Sequence, residues 1–275
     1  MNKIKIVNDE IKIINLNNSI EYEIKDNLIK TLKIEILKDT NLFIDYEFSI
    51  LAKLEIIIEL KDNVNLKLYE IKNGNQAKIR TKYILNKESN LNVLKFNDVD
   101  TINENIIINL NEKKSKINYI FKTISTSKEK YDITVYHNQS NTESYIKNNG
   151  VALKDGKIKF NVSSFVPNGN KECQVDQVNR IINLTKNKCE IDPNLYIDEY
   201  DVNASHSALI GKFSDEEMFY LESRGINKTD ALKLLIKGFI LSNIEIEELK
   251  NQINEKIEKY WRWNMNREDF PMTKE

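Results

Sequence analysis

The first 205 residues alternate. Segments such as "KIKIV", "LEIIIEL", "NLKLYEI", "NENIIINL", "YDITVYH" and "GKIKFNVSSF" set apolar against polar residues with period two and are rich in Ile, Val, Tyr and Phe, the pattern of half-buried β-strands. They recur at intervals of about ten to fifteen residues, the spacing of an all-β domain. What separates them is unusual. Among 275 residues there are seven glycines and three prolines, against ordinary shares of about 7% and 5%. The turns are built from Asn, Asp, Lys and Ser, and the Asn-Gly pairs Asn73-Gly74 and Asn149-Gly150 offer the hairpin signal. Many evenly spaced strands with few tight turns leave two architectures, a β-sandwich or a β-solenoid of stacked parallel coils. The scarcity of hairpin turns favours the solenoid. Asparagines at coil corners can tie successive coils together, although most individual asparagines read as solvated turn residues. No fixed-length repeat is visible.

After residue 213 the period changes. Ser214 to Glu217 spells a capping box: the Ser214 hydroxyl can accept from the Glu217 backbone while the Glu217 carboxylate returns to the cap. The helix it opens has Met218, Phe219 and Leu221 as its apolar side and Gly225 as a left-handed C-cap. Asn227 or Thr229 can cap a second helix with Ala231, Leu234, Leu235 and Phe239 at helical spacing, and a third carries the stripe Ile246, Leu249, Ile253, Ile257 and Trp261. Residues 266–275 read as a frayed tail. The expected organisation is a β domain over residues 1–212, whose first 30 or so residues form a strand-rich lead-in, and a small helical domain over 213–275.

Composition excludes several classes. Forty-one basic residues against forty-two acidic ones, scattered along the chain, give no basic face for nucleic acid. No apolar run approaches the length of a membrane helix, and the charged N-terminus lacks a signal-peptide core, so the cytoplasm is the expected compartment. No G-x-G-x-x-G, P-loop, G-x-S-x-G or H-E-x-x-H occurs. Paired carboxylates for glycoside chemistry remain possible among so many acids, and a carbohydrate-binding or carbohydrate-active solenoid is an open alternative.

Four residues remain as candidate ligands. His137 ends a strand-like stretch and reads as a surface or turn histidine. His206, in "NASHSAL", stands where strands give way to helices, and a neutral imidazole is a good iron ligand that protonation removes. Cys173 and Cys189 lie in polar surroundings; they are too few for a disulfide framework and not spaced as a zinc pair. As thiolates they are soft ligands suited to iron–sulfur chemistry.

The stretch "ASHSALIGKFSDEEMFYLESRGINKTDALKLLIKGF" carries a resemblance. Ser205-His206-Ser207-Ala208, the acidic helix start at Asp215 to Glu217, Phe219-Tyr220-Leu221-Glu222-Ser223-Arg224-Gly225-Ile226, Ala231 and Gly238-Phe239 resemble the C-terminal signature of the SufB/SufD proteins, core components of the SUF machinery that assembles iron–sulfur clusters. Upstream, "YHNQSNTESYIKNNGV" and "VDQVNRIINLTKNKCEIDPNLYIDEYDVNASH" are similar to further blocks of that family. The likeness runs from about residue 130 to 242; before it only the strand pattern agrees, and the helical N-terminal region of longer relatives is expected to be absent. The resemblance implies a right-handed parallel β-helix with a C-terminal helical domain that docks the ABC-type ATPase SufC. It implies a non-enzymatic scaffold or accessory role, with ATP hydrolysis in SufC and pairing with a second copy or a SufB-like subunit. A SufB cysteine slot is filled here by Val178, and a glutamate after the histidine by Ser207, which places the chain nearer SufD. On this likeness His206 matches the family's cluster-site histidine at a subunit interface, Cys189 lies near a family cysteine position, and Phe219, Tyr220, Arg224, Gly225, Ala231 and Phe239 form the ATPase-binding segment. A transient iron–sulfur cluster is the implied cargo, and the participation of flavin stays open.

Overall fold

The computed structural model describes residues 1–264; the tail expected at 266–275 lies outside them. The chain opens with β1 (Asn2–Val7), β2 (Glu10–Asn15), β3 (Ile20–Asp26), β4 (Lys30–Ile36), β5 (Thr40–Phe48) and β6 (Ala52–Leu60). Two long strands follow, β7 (Asn65–Leu85) and β8 (Asn90–Leu110), then β9 (Lys116–Ser125), β10 (Lys128–His137), β11 (Glu143–Ala152) and β12 (Lys157–Val166). The β region ends with β13 (Cys173–Asn183), β14 (Glu190–Ile197) and β15 (Val202–Gly211). Three helices complete it, α1 (Asp215–Glu222), α2 (Lys228–Leu241) and α3 (Glu247–Asn264).

The strands form a parallel β-solenoid of about seven turns. One face stacks β1, β5, β7, β8, β9, β11, β13 and β15, and the other stacks β4, β6, β7, β8, β10, β12 and β14. β7 and β8 belong to both because each bends in the middle. Antiparallel pairing is confined to the first end, where β2 lies on β1 and β3 on β4. The lead-in expected before residue 30 is therefore part of the stack: β1 pairs in parallel with β5. The Asn-Gly pairs make no hairpins. Asn73-Gly74 sits at the bend of β7, where a Cβ on Gly74 would lie 2.0 Å from the Phe48 carbonyl oxygen, and Asn149-Gly150 lies within β11.

The missing repeat has a physical explanation. Asn65 pairs with Asn90, whereas Glu143 pairs with Gln174, so the coil lengthens from 25 to 31 residues along the rod. What recurs is one corner. Asn63, Glu88, Lys114, Asn141 and Glu172 all take a left-handed backbone with φ between 55° and 61°, and each is followed by a buried small residue, Val64, Ser89, Ser115, Thr142 or Cys173. The polar members of that column donate back to the carbonyl three residues earlier: Ser89 to Asn86 at 2.7 Å, Ser115 to Glu112 at 2.7 Å, Thr142 to Gln139 at 3.0 Å and Cys173 to Asn170 at 3.3 Å. Each left-handed residue's own N–H reaches the next coil in four cases, as in Glu88 to the Lys113 carbonyl at 3.0 Å. The corner thus uses ordinary residues where hairpins use glycine. Asparagine ties between coils are also real, including Asn138 to Asn111 at 2.9 Å and Asn170 to the His137 carbonyl at 2.7 Å.

Helices α2 and α3 lie on the flank of the first face rather than over the end of the rod. Ile236 and Ile240 of α2 and Leu249, Ile253, Ile257 and Trp261 of α3 share one apolar cluster with Ile71, Leu94, Phe96, Ile124, Val151 and Ile182. Each such burial contributes roughly 1.5–3 kcal/mol. Polar anchors fix the position. Buried Lys122 donates to the carbonyls of Ile240 and Ser242 at the C-terminus of α2, where the helix dipole favours a cation. Asp98 accepts from Tyr260 and pairs with Lys256. Ser214 forms the expected capping box, Asn227 is the cap of α2, and Gly225 has φ +83°. The apolar side expected for α1 is only partly covered: Met218 and Leu221 are half-buried, Phe219 is exposed, and none of its residues is fully buried.

Candidate functional site

The last coil is open. β14 pairs with β12 and β15 with β13, and neither has a further strand neighbour among the described residues. Register defines what faces inward there. Leu68, Val93, Tyr119, Ile146 and Gln177 form one inward column, each opposite the next, and all five are buried. His206 is opposite Gln177 and so continues that column, yet it is exposed because no coil follows. Two amide ladders support the strand beneath it. Gln177 donates to the Ser164 hydroxyl at 2.9 Å and the Asn194 carbonyl at 3.2 Å, and Asn148 donates to Asn179, which donates to the Ser207 carbonyl. On the outer side Ser205 donates to Asp176 at 2.6 Å. An imidazole at this place is held by a rigid edge and open to an incoming group.

The other candidate ligands are placed differently. His137 is not a surface histidine but fully buried, with Nδ1 2.8 Å from the Thr142 hydroxyl and Nε2 2.9 Å from that of Ser144. Burial pushes its pKa down to about 4, which keeps it neutral. Cys173, 3.3 Å from the same Thr142 hydroxyl, ends the corner column and is buried. Cys189 is also buried, contrary to the polar setting of its sequence neighbours, and burial pushes its thiol pKa up. The structure thus brings His137 and Cys173 together around one hydroxyl. Among the described residues no three His, Cys, Asp or Glu side chains form a group that could hold a metal.

The segment after β15 divides in two. Phe219 and Tyr220 are 71% and 56% exposed, the Arg224 guanidinium lies 4.5 Å from the Tyr220 ring centre, and Gly225 is exposed. Ala231 is fully buried, and Phe239 is half-buried edge-on to Phe213 and beneath Arg180. Those two residues shape the packing of α2; the first four are available at the surface.

Sequence reasoning missed a charged cluster inside the rod. Lys72 lies 3.2 Å from Glu104 and 3.6 Å from Glu70, Lys95 pairs with Glu104, and Tyr46 and Tyr83 each donate to Glu70 at 2.9 Å. All are buried, with two charges of each sign. Burial by itself would raise the Glu104 carboxyl, but the two lysines hold it at about 2. One coil on, Glu129 has no cationic partner among the described residues. It accepts from Thr123 at 2.7 Å and Tyr131 at 2.9 Å, and burial pushes it up to about 8. The signal was present in "LKLYEIK" and "LNVLKFN", where period two carries Glu70, Lys72, Lys95 and Asn97 onto the inward phase.

A groove of about 200 Å³ on the outer side of the first face is lined by Glu143, Asp176 and Tyr145 among others. It is smaller than ordinary ligand pockets, and its carboxylates are engaged, Glu143 by Lys116 at 2.8 Å and Asp176 by Ser205. It gives the carbohydrate alternative little support. No described helix is long and apolar enough to cross a membrane.

Comparison with known proteins agrees with the geometry. Residues 38–239 match the family described as SUF system FeS cluster assembly, SufBD core domain. The chain is 32% identical over 135 residues to iron–sulfur cluster assembly protein SufD of Bacillus subtilis (strain 168), covering 48% of this chain and 31% of that protein. It is 42% identical over 73 residues to SufD of Escherichia coli (strain K12), covering 25% and 17%. It is 38% identical over 87 residues to a SufBD family protein of Mycobacterium leprae (strain TN), covering 30% and 22%. The aligned parts are thus less than a third of those relatives' lengths. With a parallel solenoid, the Ser205 to Phe239 segment at its end and a core match over most of its length, the chain belongs to the SufB/SufD family of iron–sulfur cluster assembly proteins.

Proposed function

We propose that this chain is a SufD-like, non-catalytic component of the SUF machinery that joins a second solenoid subunit at its last coil and binds a SufC-type ABC ATPase through α1. One observation carries the reading. β15 is an exposed edge strand, and from Val202 to Gly211 it has no charge and no proline, the devices that ordinarily block edge pairing. A partner strand can extend it, and His206 then lies inside the joint. The helix with exposed Phe219 and Tyr220 begins four residues beyond the strand's end.

The rest follows from that placement. The His206 imidazole offers a nitrogen to iron or to a cluster held as cargo between subunits. An ATPase that grips α1 differently in its two nucleotide states shifts the joint between two arrangements, since coupling needs differential affinity. Of the two partners considered, a non-identical SufB-like chain fits better than a second copy. Residues 189–211 include Glu190, Asp192, Asp198, Glu199 and Asp201 but no Lys or Arg, and a two-fold contact sets a patch against itself. A cytoplasmic site of action belongs to the same reading.

Co-purification with a SufC-type ATPase, with and without ATP, tests the docking. Replacing Phe219 and Tyr220 by Ala should weaken it at least about thirtyfold, the effect of losing a hot spot. A folded chain with no affinity in either nucleotide state removes the ATPase from the account. His206→Ala should lower cluster formation in anaerobic reconstitution, followed by visible absorption, while leaving stability and ATPase binding intact.

A further inference from the structure

The solenoid has a second open end. Among the described residues β2 and β3 pair only with β1 and β4, so their outer edges carry no strand. Tyr22 and Ile24 of β3 are opposite Ile34 and Leu32 of β4, which are fully buried inward positions. Tyr22 and Ile24 therefore continue the core columns outward, and they stand 49% and 41% exposed. The hairpin turn beside them adds Leu28, wholly exposed. A solenoid that ends in solvent is ordinarily closed by a polar terminal coil. This one ends in an apolar rim.

We infer that the β2–β3 rim is a contact between two copies of this chain, joined end to end with β3 antiparallel to its symmetry mate. The charges select that occupant. In a two-fold antiparallel pairing centred on Ile24, the inward Ile24 rings the axis, and Glu23 of each copy faces Lys25 of the other, on the outer side of the sheet. Within one copy these two groups pair only with each other, at 3.2 Å and half-exposed. Pairing on Glu23 itself would set like charges opposite, which is destabilising; pairing on Ile24 avoids this, sets Ile20 opposite Leu28, and leaves Asp26 opposite Tyr22 beside its own Lys30 at 3.7 Å. The rim precedes residues 38–239, which match the family core. The contact is independent of the SUF reading and uses the opposite end of the rod from His206.

The test is sedimentation equilibrium of the full chain over a micromolar concentration series, with circular dichroism to confirm folding. The wild type should be dimeric. Glu23→Lys should weaken the dimer on the order of tenfold, because two attractive cross-strand pairs become repulsive, and the combined Glu23→Lys, Lys25→Glu chain should recover it. A monomeric wild type overturns the inference, as does a dimer indifferent to Glu23→Lys. A dimer broken instead by Ala208→Lys in β15 would place the contact at the last coil and equally overturn it. ATPase binding by α1 is read separately and survives either result.

Discussion

Replacing Glu129 by Gln should stabilise the protein, by an amount that depends on pH. The carboxyl is buried, accepts from Thr123 and Tyr131 through Oε2, and leaves Oε1 without a partner. Its pKa is pushed up to about 8 by burial, against about 4.3 in an unfolded chain. The folded state therefore holds the proton more tightly. Stability from this group is fully present below about pH 4 and is lost as pH rises to about 8, by up to about 1.4 kcal/mol per pH unit. Summed to pH 7 the loss is about 4 kcal/mol, and near pH 9 it reaches about 5 kcal/mol. Gln is neutral throughout. Its carbonyl can accept from Thr123 and Tyr131, and its amide replaces the unpartnered oxygen with a donor. Urea unfolding followed by circular dichroism at pH 5, 6, 7 and 8 should show the variant gaining on the wild type with each step, while the m-value stays constant. A difference that is the same at pH 5 and pH 8 would refute the argument, since only titration of Glu129 makes it change.

Two further substitutions probe the same physics from other sides. Glu104→Gln should destabilise by roughly 3–5 kcal/mol at neutral pH, because it leaves Lys72 and Lys95 buried against a neutral amide; thermal unfolding reads this, and an unchanged melting temperature would show that those ammonium groups are already neutral. Glu172→Gly should raise stability by up to about 1 kcal/mol, since φ of +58° is strained for a side-chain-bearing residue, less what glycine loses in unfolded-chain entropy; a lower urea midpoint would mean that the corner column depends on this side chain.

The strand pattern was legible over the first 205 residues because inward and outward positions alternate with the pleat, and the capping box at Ser214 because it is a local hydrogen-bond exchange. Other features depend on register between coils. Asn149-Gly150 reads as a turn by its own chemistry, yet stacking between β9 and β13 holds it extended. His137 reads as a turn residue, and only the coil that brings Thr142 and Ser144 to its two nitrogens makes it a buried neutral group. Phe219 and Leu221 look like a helix's buried side, but α1 packs mainly on α2, which leaves Leu221 half-buried and Phe219 exposed. The helices that pack on the rod were not distinguishable from it by periodicity.

Sequence by itself determined a stacked β rod followed by three helices, and the family of the Ser205 to Phe239 segment, because period, capping and motif are properties of neighbouring residues. Tertiary structure decided that His206 caps an inward column at an open rim, that α2 and α3 clasp the flank through Lys122 and Asp98, and that Glu104 is charged where Glu129 is protonated. Those facts turn on which residues, 25 to 31 positions apart, come to lie one above another. Burial and charge respond to that stacking, and it is set by coil length rather than by any local pattern.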